Sequence, residues 1–151
     1  MKALKVFLIV LFIGLVIIQF FPIEENYSET IDPSKDFIAM YDVPAGVEET
    51  LKTSCYDCHS NNTTYLWYDK IQPVAWYIQD PVDAGKGELN FNEFGTYSAK
   101  KKHHKIEEVA ELVKEGEMPL TSYTLLHTDA KLSEVQKKEL VDWFSALAKE
   151  K

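Results

Sequence analysis

The chain has 151 residues with 24 acidic against 16 basic side chains, a formal net charge of −8, and only two cysteines. Every basic residue other than histidine is a lysine, so the bidentate guanidinium grip on phosphate is missing, and the acidic balance argues against a nucleic-acid partner. The length suits one small domain, lean in aliphatic core unless something apolar fills its middle.

Lys2 and Lys5 open the chain, and Val6 to Ile23 then run apolar except for Gly14, Gln19 and Pro22. About 18 residues at roughly 1.5 Å per residue reach about 27 Å, close to the roughly 30 Å of a hydrocarbon core. With lysines before the segment and Glu24 and Glu25 after it, residues 1–23 read as an uncleaved, single-pass N-terminal transmembrane helix, with a cleaved signal peptide as the alternative. Both readings export the remainder; the expected location is a bacterial inner membrane with the domain in the periplasm. Without Lys2 and Lys5 the net charge goes from −8 to −10. Residues 24–43 are polar and acidic, contain Pro33 and keep no period, which predicts a flexible tether. Residues 44–151 form the predicted domain.

Its signals are helical. Pro44 sits where a first helical turn begins, and Val47, Leu51 and Cys55 recur every four residues. Tyr65 to Ile78 is rich in Trp and Tyr, and a helix is expected around Val74 to Gln79. Lys100-Lys101-Lys102-His103-His104-Lys105 reads as a solvated face, or as a docking patch for an acidic partner protein or for a cofactor's carboxylates. Ile106, Val109, Ala110 and Val113 follow at i, i+3, i+4 and i+7, and Gly116 supplies a helix stop. Ser133 and Gln136 form a capping box before Leu140, Trp143, Phe144 and Leu147. With weak strand signals throughout, the fold class is all-α.

The two cysteines fall in Cys55-Tyr56-Asp57-Cys58-His59. Two thiols one helical turn apart, followed at once by an imidazole, are the attachment signature of c-type haem: each thiol bonds one vinyl group, and His59 becomes the proximal iron ligand. A zinc site would need a second pair of closely spaced ligands, and His103, His104 and His127 lie far away without one. A thioredoxin-like redox pair would need a βαβ context, which is not visible. A structural disulfide would make little use of His59. The implied cofactor is one covalently attached haem c.

A six-coordinate iron needs a second ligand, and a thioether raises its reduction potential. Met118 follows the predicted helix stop by two residues and precedes Pro119, in a loop from which its side chain can swing inward, whereas Met40 falls in the tether. Met118 is therefore the distal candidate, ahead of His103, His104 and His127. Trp67, Tyr68, Trp76, Tyr77 and Tyr123 offer rings to line the haem edge and hydrogen bonds for its propionates.

The blocks Cys55-Tyr56-Asp57-Cys58-His59-Ser60-Asn61, Pro73-Val74-Ala75-Trp76, Leu89-Asn90-Phe91-Asn92-Glu93-Phe94, Gly116-Glu117-Met118-Pro119-Leu120 and Tyr123-Thr124-Leu125-Leu126-His127 together resemble the small bacterial haem-binding domain family of exported, cytochrome-c-like proteins. The resemblance covers roughly residues 44–144. It implies a small helical domain wrapped around one haem, held by Cys55 and Cys58, ligated by His59, with Met118 the distal partner. Where the family often has an arginine after the glycine that follows the Trp-rich segment, this chain has Lys86, and Phe94 stands where a tryptophan is frequent; no propionate contact is carried over from that region. The leading functional expectation is single-electron transfer at the cell envelope between redox partner proteins, without enzymatic turnover. A peroxidase-like enzyme assisted by a histidine such as His127, or a haem-based sensor with a displaceable Met118, are the alternatives.

Overall fold

In the computed structural model, which describes residues 1–150, every regular element is helical and no strand occurs among the described residues. The α-helices are α1 (Lys2–Ile18), α2 (Phe37–Met40), α3 (Ala45–Ser54), α4 (Tyr56–His59), α5 (Val74–Glu88), α6 (Ala99–Glu115), α7 (Thr121–Thr124) and α8 (Glu134–Leu147). Short 3-10 turns at Trp67–Lys70, Phe91–Thr96 and Thr128–Ala130 join them. The all-α expectation holds.

The membrane-spanning helix does not. α1 stops at Ile18 after 17 residues, about 26 Å at the standard rise, and no helix among the described residues is long and apolar enough to cross a membrane. The reason lies just beyond it. Gln19 Nε2 donates to the Gln72 carbonyl and the Gln72 amide donates back to Gln19 Oε1, both at 3.0 Å. The Phe21 carbonyl accepts Gln72 Nε2 and Trp76 Nε1, each at 3.1 Å, and Pro22 has no amide with which to continue a helix. Residues 19–21 keep turn-like bonds back to α1, but Gln19 and Phe21 are also tied to the domain.

Parts of the predicted tether, residues 24–43, pack on the domain at Asn26 and around Phe37. Asn26 is buried, and its Nδ2 donates to the Ser60 carbonyl at 3.0 Å and to Thr63 Oγ1 at 2.9 Å. Phe37 on α2 is fully buried. Its ring lies parallel to Phe144 at 5.6 Å and meets Phe94 and Trp143 edge-on at 4.9 and 5.9 Å.

Around Phe37 the main core gathers Val47 and Leu51 of α3, Leu89, Phe91 and Phe94, Ile106, Ala110 and Val113 of α6, and Leu140 and Phe144 of α8. α6 and α8 form its principal helix pair, and α3 packs on α8. Both long helices are capped as anticipated. Ser133 Oγ accepts the Gln136 amide while Gln136 Oε1 accepts the Ser133 amide, at 3.3 and 3.0 Å. Gly116 ends α6 at φ 78°, the left-handed conformation that a residue with a Cβ resists. The Leu112 carbonyl then accepts the amides of Glu117 at 2.9 Å and Met118 at 3.2 Å, turning the chain back along α6. α5 is longer than expected. It continues through Pro81 to Glu88, and places Pro81, Ala84, Gly85 and Glu88 on one face.

Candidate functional site

A second, much smaller buried cluster consists of Ile78, Tyr123 and Ala130, with Cys58 and Val74 against it. Between it and the main core opens a cavity of about 290 Å³. Leu89, Phe91 and Val113 line it from the main core, and Tyr123 from the small cluster. Cys55, Cys58, His59 and Met118 all line the same space. Four residues selected from the sequence, spread over more than sixty positions, are thus brought to one apolar pocket.

Each is positioned by local chemistry. Cys55 closes α3 and opens α4, with the Cys58 and His59 amides donating to its carbonyl at 3.2 and 2.9 Å. Both cysteines are free thiols. Burial pushes each up to about 12, helped for Cys55 by Cys58 and for Cys58 by the Asp57 charge, so both are protonated at neutral pH. That is the opposite of the depressed thiol of a dithiol oxidoreductase. Among the described residues no group of three or more His, Cys, Asp or Glu side chains is placed to hold a metal ion by itself.

His59 Nδ1 lies 3.0 Å from the Leu89 carbonyl. A carbonyl only accepts, so Nδ1 carries the proton and Nε2 keeps a lone pair. Burial lowers the imidazole's pKa, and the ring is neutral as a metal ligand must be. Beside it, a Cβ at Gly85 would stand 3.0 Å from the Cys58 carbonyl oxygen, 3.1 Å from Cys58 Cβ and 3.3 Å from His59 Cε1. Glycine lets α5 lie directly against the motif.

An asparagine network fixes the Leu89 end. The Asn61 amide donates to Asn92 Oδ1 and Asn90 Nδ2 to Asn61 Oδ1, both at 2.8 Å, while Asn92 Nδ2 reaches Asp36 Oδ2 at 2.7 Å. These bonds join the loop after His59 to the turn that presents the Leu89 carbonyl. Asp57 braces the other side, accepting the Tyr123 hydroxyl at 2.8 Å and the Thr64 amide at 2.9 Å. Burial and the Asp57 charge both raise the Tyr123 pKa, leaving its hydroxyl a donor.

The rival residues go elsewhere. His103 and His104 are exposed on α6, and His103 faces Glu107 at 3.4 Å. His127 is buried but outside the cavity, stacked on Tyr123 at 4.1 Å with its Nε2 3.0 Å from Asp69 Oδ2. Of the five aromatic residues expected at the haem edge, only Tyr123 lines the cavity; Trp67, Trp76 and Tyr77 are exposed, and Tyr68 donates to the Leu126 carbonyl at 2.9 Å. Lys86 turns away to Asn26 Oδ1 at 2.6 Å. Met40 lies near Gly95, apart from the pocket. Sequence reasoning gave no role to Gly85, three residues before the end of α5, and did not separate Lys105 from the run of cations around it.

The donor set fits an iron porphyrin: two protonated thiols one turn apart, a neutral imidazole with a free Nε2, a thioether in the same apolar walls, and a glycine that lets α5 pack closely against the motif. Such a helical pocket defines a porphyrin-binding module. Over residues 13–146 the chain matches the model of the haem-binding domain family, and it belongs to that family. It binds haem. Neither a curated protein nor a solved structure gives a significant match.

Proposed function

We propose that this domain is a monohaem c-type cytochrome that passes single electrons between redox proteins outside the cytoplasm. Cys55 and Cys58 hold the porphyrin through thioether bonds, His59 supplies Nε2 to the iron, and Met118 supplies its sulfur as the second ligand. When bound, the haem contributes an iron that alternates between ferric and ferrous states, carrying one electron. The protein's share is to orient and to exclude water. The Leu89 carbonyl fixes the His59 tautomer, the close approach of Gly85 holds the motif, and Phe91, Val109, Leu112, Val113 and Leu132 keep the walls dry.

One observation carries the reading: Met118 and the Cys-x-x-Cys-His motif share a cavity that His103, His104 and His127 do not line. Export is supported by the need to attach haem covalently to reduced thiols, which bacteria do outside the cytoplasm, and by the wholly unburied apolar surface of α1 behind Lys2 and Lys5.

The test is expression with a cytochrome c maturation system, followed by intact mass and a pyridine haemochrome spectrum. One haem per chain that survives acid-acetone extraction is expected, together with a weak far-red band lost in Met118→Ala. Extractable haem would overturn covalent attachment. A high-spin spectrum in the unmodified protein would overturn Met118 ligation and favour an open distal site suited to catalysis or sensing.

A further inference from the structure

Lys105 departs from the run in which it stands. Lys100 and Lys101 are exposed, whereas the Lys105 side chain keeps only 10% of its exposure and lines the cavity, the one lysine to do so among the described residues. Its Nζ lies 2.6 Å from Glu108 Oε2 on its own helix and 3.4 Å from Glu88 Oε2 at the end of α5. Glu88, Lys105 and Glu108 form the charged rim of an otherwise apolar pocket.

A porphyrin with both vinyl groups bonded to thiols has only one polar edge left, its two propionates. These carboxylates need N–H or O–H donors if they are not to face water alone. Of the other side-chain donors near the pocket, the Tyr123 hydroxyl is engaged with Asp57, His59 Nδ1 with Leu89, and Lys86 with Asn26 on the far side of α5, while the Ser54 hydroxyl lines the cavity beside Cys55 but carries no charge to match a carboxylate. No arginine exists in the chain. An ammonium has three protons, and Glu108 at 2.6 Å uses one well. Glu88 holds another only loosely, at 3.4 Å, and its own side chain is 80% exposed, so it moves into water at little cost.

We propose that Lys105 receives a haem propionate in the place Glu88 occupies, with Glu108 holding the ammonium over the rim. The inference rests on the haem reading above and adds the residue that orients the porphyrin's polar edge. It makes Lys105 a cofactor-positioning residue.

Reduced wild-type holoprotein with His and Met ligands is diamagnetic, so the first test needs no variant. Nuclear Overhauser contacts are expected between the Lys105 ε-methylene protons and the methylenes of one propionate; their absence, with other haem-to-protein contacts present, overturns the proposal. Resonance Raman then follows the propionate-bending bands in Lys105→Met, Lys105→Arg and Lys100→Met. One band shifts in Lys105→Met alone if the proposal is right. Unchanged bands in all three reject it. The pyridine haemochrome of the same wild-type sample separates the two failures: haem present without the contacts sinks the Lys105 assignment only, whereas absence of covalent haem sinks the reading beneath it.

Discussion

The two halves of the buried interior are held together differently. Around Phe37 the rings of Phe91, Phe94, Trp143 and Phe144 interlock with aliphatic groups from α3, α6 and α8. Across the cavity, Ile78, Tyr123 and Ala130 make a small cluster whose order comes from polar ties, Tyr123 to Asp57 and His127 to Asp69. The first region is a core in its own right. The second is a wall awaiting a partner, and an apolar cofactor would supply the contacts that its own side chains lack.

Substitutions can separate the two. Phe37→Ala removes a ring with no exposed surface and should cost about 3–5 kcal/mol, read by chemical denaturation and present with or without haem. If only the haem-loaded form lost stability, the division would be false. Gly85→Ala puts a methyl against Cys58 and His59, and is expected to cost about 1–3 kcal/mol and to lower the yield of matured haem, measured as the haem-to-protein absorbance ratio. Ser133→Ala breaks the α8 capping box, whose side chains do not line the pocket; about 1 kcal/mol should vanish from unfolding while the haem yield stays unchanged.

The smallest effect concerns pH. Burial lowers the His59 pKa, so in haem-free protein the unfolded chain takes up a proton more readily than the folded one. Apo stability should therefore fall as pH drops below the ordinary histidine range near 6.5, until the folded ring also protonates. Denaturation midpoints of apo wild type and His59→Gln between pH 7.5 and 5 check this. The variant should lose part of the slope, and identical slopes would show that His59 does not contribute.

Much of the pocket was legible because its chemistry is local. The Cys55–His59 motif spans five residues, the period of Ile106 to Val113 marks a buried face, and Gly116 announces the turn that precedes Met118. What stayed hidden depends on distant partners. Phe37 opens a short apolar run inside an acidic segment that keeps no period, and most of the rings that enclose it come from residues 91–94 and 143–144. α1 ends where it does through Gln72, more than fifty residues away. Pro81 argues locally against a helix, yet packing of α5 on α4 carries the helix seven residues beyond it. Lys105 differs from its neighbouring lysines only through the side of α6 on which it falls.

The Leu112 carbonyl, shared by the Glu117 and Met118 amides, has one more consequence for the proposed cytochrome. Were the Met118 sulfur to ligate iron, a backbone lashed to the helix terminus would limit how far it could shift between the two valences. Little nuclear rearrangement would then accompany a transfer, and a small reorganisation energy would allow rapid exchange across a small driving force.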